Sequence, residues 1–116
     1  MDIEKTLIEM VKINSAGPDN TGIISYMEDL FEGMGLDYNT YDSESPYILA
    51  KNGKGGVIFS GHLDTVPVGK KWSVKQGSTE DGRIYGRGTC DMKGGIVASL
   101  AAAERLREEI FHSQLH

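Results

Sequence analysis

The chain has 116 residues, with 12 Lys and Arg against 17 Asp and Glu, a formal net charge of −5, three histidines and one cysteine. This size sets a ceiling of one compact domain, and 39% hydrophobic with 25% charged residues is an ordinary globular balance that excludes a disordered or fibrous chain. The acidic balance leaves no basic stripe to neutralise phosphates, so neither nucleic acid nor an anionic membrane surface is an expected partner.

The first predicted element is a short helix, because Ile3, Leu7, Ile8, Met10 and Val11 recur at helical spacing through Ile13 before Asn14-Ser15-Ala16-Gly17-Pro18 stops the pattern. A second helix follows Asn20-Thr21: Ile23, Ile24, Met27, Leu30, Phe31 and Met34 form an apolar stripe that Gly33 and Gly35 end. The period then changes. Leu36 to Tyr41 alternates as a strand does, and Tyr47 to Ala50 is a second strand after Pro46. Asn52-Gly53-Lys54-Gly55-Gly56 reads as a hairpin loop. Val57-Ile58-Phe59-Ser60 is a continuous apolar run, the pattern of a central strand covered on both faces. Gly69 to Gly82 reads as a loop, Ile84-Tyr85 as a brief strand, and Met92 to about Ile110 as one long helix, buried in its first half and amphipathic from Glu104 onward. Its most apolar part, Gly94 to Ala103, is about half the length that spans a bilayer. The acidic start Met1-Asp2-Ile3-Glu4 is no signal peptide, and Cys90 has no second cysteine to pair with, so the expected location is cytoplasmic.

Two segments carry chemistry. His62 and Asp64 stand at i and i+2 where the apolar run empties, so on extended backbone their side chains leave one face. A metal-bound histidine commonly gives its other ring N–H to a carboxylate, and this spacing supplies one; a His–Asp pair that merely closes a strand end fits the same spacing. The second segment runs from Tyr85 to Gly95. Gly86-x-Gly88 is not a dinucleotide fingerprint, because the third glycine position holds Asp91, and a P-loop fails for want of its spacing and its Ser/Thr. A carboxylate at a helix start is suited to holding a cation, or to plain N-capping. Weaker candidates are Cys90, read as a small buried thiol and not a nucleophile, and Ser60, which lacks the G-x-S-x-G elbow. His112 and His116 have zinc-helix spacing but lie in a terminal tail, and Trp72 reads as a packing anchor at a loop rim.

Ser60-Gly61-His62-Leu63-Asp64-Thr65-Val66-Pro67, then Trp72, then Asp81 through Gly95 with Gly86-Arg87-Gly88-Thr89-Cys90-Asp91-Met92-Lys93-Gly94-Gly95 at its centre, together closely resemble the co-catalytic zinc peptidase and deacylase family. The resemblance covers nearly all of the chain. It implies an α/β fold: part of a three-layer sandwich around a mixed, mainly parallel sheet, with residues 1–116 as the N-terminal part of the zinc-binding catalytic domain. It also implies His62 as ligand of one zinc, Asp64 as the group orienting it, Asp91 as the carboxylate bridging two zincs, and a cis Asp91-Met92 peptide. Cobalt or manganese are alternative metals. The implied reaction is hydrolysis of the amide bond of an N-acyl amino acid or small peptide, of deacylase, desuccinylase or carboxypeptidase type.

The family's general-base glutamate, its further metal ligands and its lid and dimerisation domain have no counterpart in these residues. Glu108-Glu109 is no substitute, since no buried strand precedes it. The implied chain is therefore inactive alone, and an unpaired sheet edge would favour self-association or a complementing C-terminal polypeptide. The alternative is a non-catalytic metal-binding or interaction module that keeps the fold.

Overall fold

The computed structural model describes residues 1–53 and 56–114, with side chains described through Arg107. Lys54 and Gly55 of the expected hairpin loop, and the side chains of Glu108, Glu109, His112 and His116, lie outside the described residues.

The elements run α1 (Ile3–Lys12), α2 (Thr21–Gly33), β1 (Asp37–Tyr41), β2 (Tyr47–Lys51), β3 (Ser78–Glu80), β4 (Arg83–Tyr85), a single π-type turn over Thr89–Lys93, and α3 (Gly94–Gln114). Asp2 starts α1 as its cap, its carboxylate accepting from Lys5 N at 3.0 Å, which satisfies one of the unpaired donors of the first turn. Before α2 the capping oxygen belongs to Asp19, which accepts from both the backbone N and the hydroxyl of Thr21. These two hydrogen bonds hold the Asp19 carboxyl below its ordinary range.

The apolar stripes of the three helices meet in one core of Met10, Ile23, Met27, Phe31, Val97 and Leu100. In α3 this stripe is narrower than its composition suggests: Val97 and Leu100 are buried while Ala98 and Ala102 are exposed. β1 and β2 pair antiparallel with Tyr38 opposite Ala50 and Thr40 opposite Ile48, and the hairpin lies on α2, where the Phe31 and Tyr38 rings stand 6.2 Å apart. β3 and β4 form a second antiparallel pair, turning at Asp81-Gly82.

The architecture is thus α/β, with three helices and two short hairpins. It differs from the expected sheet in two places. Val57–Ser60 carries no ladder, and Val57 and Ile58 are 81% and 83% exposed, because an apolar run becomes a central strand only where neighbours pair with its backbone. Within the expected loop, Ser78–Glu80 folds back as β3, because the tight turn at Asp81-Gly82 brings it against Arg83–Tyr85. Both ladders are antiparallel, and the parallel element among the described residues is a single bridge, Ala16 to Thr65. No helix of the described residues is long and apolar enough to cross a membrane.

Candidate metal centre

The segment 86–94 is shaped by backbone that only small residues permit. Gly88 sits at φ +93°, Lys93 N donates to Gly88 O at 2.7 Å, and Thr89 closes the turn with its hydroxyl on Gly86 O at 2.9 Å. A bond from i+5 to i is one residue longer than an α-helical one, so Asp91 and Met92 leave helical φ/ψ. The Asp91-Met92 peptide is cis. Asp91 is therefore no N-cap buried in a helix start. Its side chain is 85% exposed and directed at the other segment.

There it meets His62. The ring Nε2–H of His62 donates to Asp91 Oδ1 at 3.0 Å, and Nδ1–H donates to the backbone carbonyl of Asp64 at 3.0 Å. The Asp64 carboxylate lies at 3.5 Å from Nδ1, so it is the main chain of Asp64 that makes the close contact. With an acceptor at each nitrogen the imidazole is held above its usual titration range, chiefly by the Asp64 carbonyl and further by the Asp91 carboxylate. The structure thus brings His62, Asp64 and Asp91 together.

Beside them opens a cavity of about 390 Å³ whose wall includes Phe59, Leu63, Met92, Ile96 and Leu100 as well as His62 and Asp64. Ser60 lines it too. A largely apolar hollow with a few polar groups, here His62 and Asp64, in its wall is the usual form of a small-molecule site. Cys90 is exposed, not buried, because the long turn carries its side chain outward. Trp72 lies under Arg87, whose guanidinium carbon is 5.6 Å from the ring centroid. Arg87 in turn donates to the carbonyls of Pro67 and Val68, and its backbone N to Gln76 Oε1.

The donor set suits a divalent cation of borderline hardness: one imidazole nitrogen and one carboxylate oxygen stand 3.0 Å apart, and with Nδ1–H held by the Asp64 carbonyl it is Nε2 that is open to a cation once its proton is lost. Among the described residues no group of three or more His, Cys, Asp or Glu is arranged to hold a metal ion, and His62 with Asp91 offers fewer ligands than the three or four of a protein zinc site. The sequence reading did not single out Lys93, Ser15 or Arg87, which hold the two segments in place. For Lys93 a signal exists, a lone cation entering an apolar helix, where full solvation is unavailable.

The chain is 32% identical to succinyl-diaminopimelate desuccinylase of Parvibaculum lavamentivorans over 93% of its own length and 30% of that enzyme's. It is 34% identical to the enzyme of the same name from Gluconacetobacter diazotrophicus over 86% of its length and 29% of the relative's, and 36% identical to that of Anaplasma marginale over 79% and 26%. The chain therefore spans less than a third of the length of the curated relatives it matches. Residues 58–115, half of the chain and the half that holds His62, Asp64 and Asp91, match the profile of peptidase family M20/M25/M40, and the chain belongs to that family.

Proposed function

We propose that residues 1–116 are the N-terminal part of the catalytic domain of a zinc-dependent amidohydrolase that removes the acyl group from an N-acyl amino acid, of desuccinylase type, in the cytoplasm. The observation that carries this reading is the convergence of His62 Nε2 and Asp91 Oδ1 to 3.0 Å from segments far apart in the chain. The desuccinylase names of the relatives support the acyl-amino-acid class, and the α/β architecture with an apolar hollow beside the pair supports a small substrate.

In this reading His62 Nε2 and the Asp91 carboxylate would hold the metal, and Asp64 would orient the imidazole through Nδ1. Bound zinc supplies an acidified water and polarises the scissile carbonyl. Leu63, Met92 and Ile96 give the hollow an apolar wall against which a small acyl group would pack. A general base and further ligands come from the rest of the domain, so the chain alone is inactive. The bare apolar run Val57–Phe59 is then the strand on which a mainly parallel sheet, and the three-layer sandwich, are completed; without that cover it drives self-association.

Zinc analysis of the purified chain against His62→Ala and Asp91→Ala is the direct test. Metal bound by the parent and lost from both variants supports the assignment, and equal content in all three overturns it. Adding the remaining portion of a homologous desuccinylase and assaying release of succinate from succinyl-diaminopimelate then separates the hydrolase from a non-catalytic metal-binding module. Turnover marks the first, and bound zinc without turnover the second.

A further inference from the structure

The two site-bearing segments do not simply lie against each other; both are fastened to a third element, the C-terminal end of α1. Lys93, two residues after Asp91, is 1% exposed, and its Nζ donates to the carbonyls of Met10 at 2.9 Å and Ile13 at 3.0 Å. Both carbonyls belong to the end of α1: Ile13 is its C-cap, and Met10 O also accepts from Ile13 N at 3.2 Å. Two residues beyond Ile13, Ser15 is also 1% exposed. Its hydroxyl donates to Leu63 O at 2.7 Å, its carbonyl accepts from Thr65 N at 3.2 Å, and Ala16 forms the parallel bridge to Thr65.

The end of α1 is therefore gripped from one side by the segment that carries Asp91 and from the other by the segment that carries His62 and Asp64. Close approach adds to the grip: a Cβ on Gly86 would collide with Val11 of α1, and one on Gly88 would come 2.8 Å from the Thr65 methyl. Both polar groups are occupied by carbonyl oxygens, so neither is offered to a ligand. A lysine and a serine this deeply buried would otherwise carry a desolvation penalty, and hydrogen bonds to main-chain carbonyls offset it at the cost of fixing the geometry.

We propose that Ser15 and Lys93 are positioning residues which, acting through the C-terminal end of α1, hold His62 and Asp91 at the separation a shared divalent cation requires. The proposal rests on the metal-site reading for its purpose, but the spacing it concerns is measurable without metal. Ser15→Ala and Lys93→Met are made in the full 116-residue chain, with Ser15→Thr as the variant that keeps a hydroxyl.

The first readout is the ¹⁵N shift of the His62 ring, compared with and without Asp91→Asn. In the parent, Asp91→Asn shifts the ring signals; in the Ser15→Ala and Lys93→Met backgrounds that response is lost, and Ser15→Thr restores it. The second is calorimetric zinc binding, in which each of the two disruptive variants weakens affinity about tenfold, the range for groups that orient ligands. A response to Asp91→Asn as large in Ser15→Ala as in the parent overturns the proposal, as does no response in the parent. Should Lys93→Met fail to fold by circular dichroism, Ser15→Ala decides. A parent that binds no zinc defeats the metal reading, while the ring-shift comparison still decides the positioning claim.

Discussion

His62 and Asp91 are 29 residues apart in the chain and 3.0 Å apart at their functional atoms. A contact of this kind between two exposed side chains persists only if the backbone on each side is fixed, and each side here is fixed by hydrogen bonds to the end of α1 or to Ser15 just beyond it. The geometry has consequences that solution measurements can read.

The His62 imidazole titrates above its ordinary value of 6.5, because its Nδ1–H faces the Asp64 carbonyl and its Nε2–H faces the Asp91 carboxylate. A raised folded value means the charged form stabilises the fold at pH below 6.5, and that contribution disappears as pH rises through the folded value. Asp91→Asn should lower the His62 titration but leave it raised, since the Asp64 carbonyl remains. An NMR titration that finds His62 at or below the ordinary histidine value in the parent would contradict the structure.

Lys93 behaves in the opposite sense. Burial pushes its amine down to about 8 from 10.5, so between those values the unfolded chain binds the proton and the folded chain does not. Stability therefore rises with pH across that window, by up to roughly 3 kcal/mol from this group. Urea midpoints compared from pH 7 to 10 should rise in the parent relative to Lys93→Met; parallel profiles would refute the burial argument.

Gly88 and Gly53 share positive φ, +93° and +84°, but differ in their surroundings. A Cβ at Gly88 meets Thr65 at 2.8 Å and Lys93 at 3.2 Å, whereas one at Gly53 meets nothing within 4 Å. Gly53→Ala should cost only the left-handed conformation, about 1 kcal/mol, and Gly88→Ala about 2–4 kcal/mol as crowding adds to it. Equal losses in denaturant unfolding would show that the two site-bearing segments are not pressed together.

Ile58 is 83% exposed, and Met27 is 3% exposed within the core. Ile58→Thr should change stability by less than about 0.5 kcal/mol, and Met27→Ala should cost about 2–5 kcal/mol. The exposed Val57, Ile58 and Phe59 should also make the chain associate at raised concentration, and Ile58→Lys should shift size-exclusion elution toward the monomer. Clean monomer elution by the parent would count against that part of the proposal.

The helices, the two strands that pair as the first hairpin and the candidates His62, Asp64 and Asp91 were legible in the amino-acid order, because periodicity, turn formers and motif spacing are local properties of the chain, whereas the hairpin turn itself falls between Tyr41 and Tyr47 and not at Asn52–Gly56. Tertiary structure alone decided the fate of Val57–Ser60, since an apolar run specifies burial but cannot supply the neighbouring backbone that turns it into a strand. It also decided that Cys90 faces solvent, that the Asp64 main chain lies closer to the imidazole than its carboxylate does, and that Ser15 and Lys93 clasp one helix end from two sides. These are contacts between residues up to 83 positions apart, fixed by where the packed helices carry the chain and not by any pattern within a window of sequence.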